Sequence, residues 1–154
     1  MKYTATIQWQ RAPHEAFTDN RYSRGHQWRF DGGVTLRASS SPHVVPHFSD
    51  PAGVDPEEAF IAALSSCHML TFLHLAAKTG LVVDAYDDTA EGVMAKTAGA
   101  MGGKVWVSVV TLRPQVRWGG AIPHPAQVDA LHHAAHDDCF IANSVKTEIR
   151  CQPR

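Results

Sequence analysis

The sequence predicts a single α+β domain over residues 1–154, and three observations predict it. Residues 55–80 read as one long helix with both ends specified, alternating strand patterns lie on both sides of it, and the elements run strand, hairpin, helix, strand pair, helix, strand. A chain of 154 residues is long enough for one domain with a substantial core.

The first element is a strand, because Tyr3, Ala5, Ile7 and Trp9 alternate with Lys2, Thr4, Thr6, Gln8 and Gln10, the period of a strand with one buried face. Residues 12–23 lose that alternation. His26–Phe30 and Val34–Arg37 then flank Asp31-Gly32-Gly33, a turn signal between two alternating runs, and predict a hairpin. Ala38 to Val54 is a loop, its regular structure blocked by Pro42, Pro46 and Pro51.

The long helix follows. Asp55 caps its first turn, Pro56 stands where a missing N–H costs nothing, Glu58 completes a capping box, and Gly80 supplies a left-handed stop. No charged residue occurs between Ala59 and Ala77, so the helix is apolar on nearly all sides and calls for protein or lipid around it. Lipid is disfavoured. The run contains Ser65, Ser66, His68, Thr71 and His74, and a single span would leave two strand-like fragments too short to build cores.

Leu81–Tyr86 opens a strand pair that Val93 and Met94 continue. A turn is expected over Thr97–Gly103, and Val105–Val110 is apolar on both faces, as a central strand is. Pro114, Gly119, Gly120, Pro123 and Pro125 read as a connection, and a second helix runs from Pro125 to about Asp138 with Val128, Leu131 and Ala135 on one face. A final strand puts Val145, Thr147, Ile149 and Cys151 on one side and Lys146, Glu148 and Arg150 on the other.

A net charge of −1 argues against a nucleic-acid partner, and 19% charged against 44% hydrophobic residues suits a domain that also buries surface in an oligomer. Met1–Ile7 lacks an apolar signal core, so a cytoplasmic location is expected. Three cysteines in a reducing compartment do not make a disulfide framework.

Cys151, on the inner face of the last strand, reads as a small core residue. Cys139 lies eleven residues after Val128, which returns it to the same helical face and points it inward. Asp137, Asp138 and a helix C-terminus disfavour its thiolate, which makes it a poor attacking group but a candidate second sulfur. Cys67 stands mid-helix, where apolar surroundings disfavour a thiolate unless the fold brings a cation, so an arginine is required for reactivity. Pattern alone leaves both cysteines open between core filler and a reactive pair. His132 and His136 have i, i+4 metal spacing, and His68 and His74 lie on the first helix. Ten histidines produce such pairs by chance, so no metal ligand is assigned.

Asp55-Pro56-Glu57-Glu58-Ala59-Phe60, continuing to Ala62-Ala63-Leu64-Ser65-Ser66-Cys67, resembles the central helix of the OsmC/Ohr family, the osmotically induced and organic hydroperoxide resistance proteins. Ala135-His136-Asp137-Asp138-Cys139-Phe140-Ile141-Ala142-Asn143-Ser144-Val145 is similar to that family's second cysteine segment, and an OsmC-like branch fits best. The resemblance implies an OsmC-like fold, antiparallel sheets around a long buried central helix, in an intertwined homodimer. It further implies a thiol peroxidase acting on organic hydroperoxides without metal, haem or other cofactor. In that scheme Cys67 is the peroxidatic thiolate, Cys139 the resolving thiol that closes a Cys67–Cys139 disulfide, and Glu57 the carboxylate partner of an active-site arginine. Arg24 holds the arginine's place ahead of the hairpin turn, with Arg29 and Arg37 as alternatives. An external dithiol is the expected reductant, a lipoyl-type carrier being one candidate, and neither nucleic acid nor membrane is an expected partner. The alternative is a non-catalytic protein of the same fold that binds an apolar ligand.

Ten residues separate Glu57 from Cys67, about 15 Å along one continuous helix. If both serve one site, either the helix breaks between them or Glu57 acts in the other subunit's pocket. No helix breaker occurs there, so the second is expected.

Overall fold

In the computed structural model, which describes residues 1–98 and 103–154, α1 spans Pro56–Lys78 and its ends close as the sequence specifies. The Glu58 N–H donates to Asp55 Oδ1 at 2.8 Å and the Asp55 N–H donates to Glu58 Oε2 at 3.1 Å, a reciprocal capping box. At the other end Gly80 takes φ +78°, and the Leu81 N–H reaches the Ala76 carbonyl at 3.0 Å.

The chain divides into two compact units, Met1–Ala59 and Phe60–Arg154. The first holds an antiparallel sheet of β1 (Ala5–Gln8), β2 (His26–Phe30) and β3 (Thr35–Ala38) in that order. The hairpin between β2 and β3 forms where expected, with Gly33 at φ +83° supplying the left-handed turn residue. Two expectations for β1 need correction. It is shorter than the alternation predicts, and Ile7 on its apolar face and Trp9 just beyond its end stay 58% and 41% exposed. Phe17 and Tyr22 pack beside Trp9 but leave that face largely exposed, so alternation marked an apolar surface without marking its cover.

The second unit contains β4 (Val83–Asp88), β5 (Glu91–Lys96), β6 (Val105–Leu112), β7 (Pro114–Trp118), α2 (Pro125–Asp137), a short 3-10 turn (Ala142–Ser144) and β8 (Glu148–Cys151). With α1 and the strands of both units, the described residues make a mixed α+β fold. β6 is central as its two apolar faces predict, flanked by antiparallel β5 and parallel β8. β5 pairs with β6 as the expected strand pair requires, but β4 is a separate strand that pairs with β7, which turns part of the expected connection into a strand. Pro114 concealed it. As the first residue of β7 it gives up no ladder donor, so proline there does not exclude a strand. Residues 99–102 of the turn expected over Thr97–Gly103 lie outside the described residues. α2 matches its expected span, with Pro125 in its first turn and the His124 ring accepting from the Ala126 N–H at 3.2 Å.

Leu64, His68, Phe72 and Ala76 form the buried stripe of α1 at a spacing of four. Phe72 and Ala76 pack with Leu131 and Ala135 of α2, while Leu64 packs with Val110 and Leu112 of β6. Each large side chain so buried stabilises the unit by about 1.5–3 kcal/mol. The rest of α1 corrects the expectation of cover on all sides, since Ala62, Ala63, Ser66, Leu70 and His74 remain exposed. α1 is long and apolar enough to cross a membrane, but its stripe lies in the core of a sheet-bearing unit, as in a core helix.

Candidate active site

Cys67 lies on α1 one residue before the buried His68, which places its side chain at the boundary between the core and the exposed face. It is half-buried and lines an open cavity of ≈ 780 Å³ together with Ala63, Leu70, Thr71, Phe140 and Ile141. The wall is mainly apolar. Its polar rim is Ser66, His74, Asn143 and the two aspartates that close α2, Asp137 and Asp138, and no lysine or arginine lines it among the described residues.

Cys139 follows the end of α2 and is 1% exposed, inward as its helical position predicts. The chain turns sharply there, and the Ala142 N–H donates to Cys139 Sγ at 3.4 Å. Burial pushes the Cys139 thiol up to about 11, the adjoining Cys67 thiol pushes the same way, and the Ala142 N–H opposes both. The direction agrees with the sequence, but the causes are burial and Cys67, not the neighbouring aspartates. All three cysteines are free thiols. The structure thus brings Cys67 and Cys139 together beside an apolar cavity.

Glu57 and Arg24 belong to the Met1–Ala59 unit. Glu57 sits half-buried in the first turn of α1, where the helix dipole favours a carboxylate. α1 is continuous from Pro56 to Lys78, so the helix break that could have brought Glu57 to its own Cys67 does not occur. Arg24 donates to the Tyr22 carbonyl at 2.6 Å and the Asn20 carbonyl at 3.1 Å, and its guanidinium lies 3.6 Å from the Tyr22 ring centroid. It borders a cavity of ≈ 460 Å³ walled by Ile7, Trp9, Phe17 and Tyr22. Of the alternatives, Arg37 pairs with Asp50, and Arg29 is exposed on β2. No salt bridge joins Glu57 to any of these arginines among the described residues.

A family model described as OsmC-like protein matches residues 49–154, more than half of the chain. The chain belongs to the OsmC-like family. An OsmC-like protein of unknown function from Vibrio cholerae O1 biovar eltor is 51% identical, over 100% of this chain and 99% of its own, with a TM-score of 0.95. The organic hydroperoxide resistance protein OhrB of Bacillus subtilis matches at 16% identity, over 100% and 98% of the two chains, with a TM-score of 0.70. An organic hydroperoxide resistance protein OsmC from Legionella pneumophila matches at 17% identity, over 99% and 95%, with a TM-score of 0.68. The last two likenesses are ones of fold. No curated protein matches the sequence.

This OsmC-like chain carries a second cluster that the sequence did not reveal. His68 Nε2 lies 3.1 Å from His132 Nδ1, and Cys151 Sγ lies 3.7 Å from His68 Nε2. The imidazoles are stacked, with planes 6° apart, and Phe72 lies against the His132 ring. Cys151 packs against the Leu64–Val110–Leu112 cluster, as its strand face predicts, but its sulfur also meets a histidine. Residue spacing offered His132 with His136. The partner across the fold is His68, 64 residues away in the chain.

Burial holds His68 at about 4, with the charges of His132 and His136 acting in the same direction, and burial alone holds His132 at about 4. Both rings are therefore neutral at pH 7. Their ordinary value of 6.5 governs the unfolded chain, which gains protons first as the pH falls. The stability tied to the neutral rings is complete above pH 6.5 and is lost as the pH falls through the window from 6.5 to 4. Urea unfolding at pH 7 and pH 5 should differ by about 2 kcal/mol or more. Equal stability at the two values would contradict the neutral pair.

Proposed function

We propose that the protein is a thiol-dependent peroxidase that reduces organic hydroperoxides. The observation that carries the reading is the placement of two free thiols of unequal character beside one apolar cavity, Cys67 on its wall and Cys139 buried behind it. Two of the solved structures sharing its fold are named organic hydroperoxide resistance proteins, which supports the same chemistry here.

The cycle has three balanced steps. The Cys67 thiolate attacks the O–O bond of the hydroperoxide, leaving Cys67 as a sulfenic acid and releasing an alcohol once the alkoxide gains a proton. The Cys139 sulfur then attacks the sulfenic sulfur, forming the Cys67–Cys139 disulfide as water leaves. An external dithiol, for which a lipoyl-type carrier is the candidate, exchanges with that disulfide and returns both thiols while becoming oxidised itself.

Burial supports this division of labour. Because Cys139 is held near 11, its proton stays on sulfur at neutral pH and it does not compete with Cys67 for peroxide. Apolar lining such as Leu70, Phe140 and Ile141 favours an alkyl hydroperoxide over hydrogen peroxide, since each methylene buried is worth about 0.8 kcal/mol.

A cation is still needed to stabilise the thiolate, and none lines the Cys67 cavity among the described residues. We infer that dimerisation supplies it, with Glu57 of one copy orienting an arginine, Arg24 by the resemblance, at the Cys67 of the other. The exposed α1 face and the uncovered face of β1 are apolar surfaces suited to such an assembly. The rival reading, an apolar-ligand binder with a silent Cys67, draws on the same cavity.

Thiol titration separates the two. One equivalent of an organic hydroperoxide should remove two of the three titratable thiols within seconds. Retention of all three thiols would favour the binder and overturn the enzyme.

A further inference from the structure

His68, His132 and Cys151 come from α1, α2 and β8, and their donor atoms all lie within 4.8 Å of one another. We propose that they form a binding site for a divalent transition-metal cation, zinc foremost, held by one nitrogen of each imidazole and by the Cys151 sulfur. This site is separate from the peroxidatic one and does not depend on it: Cys67 and His68 are consecutive on α1, so their side chains point about 100° apart. The absence of a metal implied by the family resemblance concerns the peroxide chemistry at Cys67.

Ligand spacing is the first argument. A tetrahedral site with metal–nitrogen bonds of about 2.0–2.1 Å and a metal–sulfur bond of about 2.3 Å has nitrogen–nitrogen edges near ~3.3 Å and nitrogen–sulfur edges near ~3.6 Å. The His68 Nε2–His132 Nδ1 edge is 3.1 Å, the His68 Nε2–Cys151 Sγ edge is 3.7 Å, and the remaining edge, between His132 and Cys151, lies within 4.8 Å. A cation can thus enter with His68 already at ligand spacing from both other groups, and the third edge has only to close.

Unmet bonding capacity is the second. The single contact between the imidazoles uses one nitrogen of each, and His132 Nε2 remains buried with no hydrogen-bond partner on a residue 3% exposed. Leaving such a polar atom unpaired costs about 1–3 kcal/mol. A cation bound at His132 Nδ1 leaves Nε2 as the ring's N–H, so the ligand bonds would offset this cost without removing it.

Charge is the third. The Asp88 carboxylate acts on His68, His132 and Cys151 alike, and it is fixed by the Ser65 hydroxyl at 2.5 Å and the Arg113 N–H at 2.6 Å. When a divalent cation binds, the Cys151 S–H bond breaks, its proton leaves to solvent and a sulfur–metal bond forms. Each imidazole keeps one N–H. The thiolate and Asp88 then balance the two positive charges.

Access completes the site. A cavity of ≈ 290 Å³, lined by Asp129, His132, His136 and Cys151 among others, opens onto the cluster. Imidazole and thiolate together select zinc over calcium or magnesium.

Cobalt(II), which reports thiolate ligation optically, is the probe, followed by zinc on the full chain under reducing conditions. One equivalent of cobalt should give tetrahedral visible bands and a sulfur-to-cobalt charge-transfer band, both bleached by one equivalent of zinc. The charge-transfer band should survive in the Cys67→Ser/Cys139→Ser protein and vanish in Cys151→Ser. His132→Gln retains all three thiols and serves as the second variant. Loss of a group that merely orients a metal ligand already costs about 10- to 100-fold in affinity, so removal of a ligand should cost at least that much. No charge-transfer band in the parent protein, a band lost with Cys67 and Cys139 instead, or unchanged affinity in His132→Gln would each overturn the site.

Discussion

Cys67→Ser should lose peroxide reduction by at least about a thousandfold, because a serine oxygen is neither ionised at neutral pH nor able to accept oxygen as a sulfenic acid does. Cys139→Ser should behave differently. Cys67 still meets the hydroperoxide in its cavity, so one turnover proceeds at close to the parent rate and then stops. The sulfenic acid left on Cys67 should be trappable by a carbon nucleophile such as dimedone, because the sulfur that would condense with it is gone. Rapid mixing with one equivalent of an alkyl hydroperoxide, followed by mass spectrometry of the adduct, reads both variants. Equal single-turnover rates in the parent and Cys67→Ser would return Cys67 to a packing role.

Mixing two inactive proteins, Cys67→Ser and Glu57→Ala, should restore activity. The reason lies in α1, whose unbroken run from Pro56 to Lys78 keeps Glu57 about 15 Å along the axis from the cysteine of the same helix. If Glu57 acts in the partner's pocket, a mixed dimer contains one site with both Cys67 and Glu57 and one site with neither. Random exchange makes half of the dimers mixed, with one of their two sites intact, so roughly a quarter of parental activity returns. Differently tagged subunits show whether exchange occurred. Exchange without recovered activity would mean that Glu57 serves its own chain or takes no part in the reaction.

Features governed by neighbouring residues were the legible ones. Asp55 and Glu58 close their capping box, Gly80 stops α1, and Asp31-Gly32-Gly33 turns the hairpin, because each is a local matter of hydrogen bonding and dihedral angle. The inward direction of Cys139 followed from helical phase. Choices between distant segments were not legible. Strand periodicity in Val83–Asp88 does not say that Pro114–Trp118 is its partner, and a proline at the strand start hid that partner further. The apolar stripe of β1 gave a face but not what covers it. His68, His132 and Cys151 stayed hidden for the same reason: 64 residues separate the two histidines and 83 separate Cys151 from His68, so only the packing of α1, α2 and β8 assembles them. For Cys67 and Cys139, motif resemblance offered a reading that periodicity could not, since buried cysteines look alike in a sequence whether they react or fill space.

The central claim is that Cys67 and Cys139 form one redox couple. Its most direct test is peptide mapping under non-reducing conditions after treatment with one equivalent of an organic hydroperoxide. The account predicts a dominant Cys67–Cys139 disulfide with Cys151 still a free thiol. A dominant link through Cys151, or an over-oxidised Cys67 beside an untouched Cys139, would contradict it.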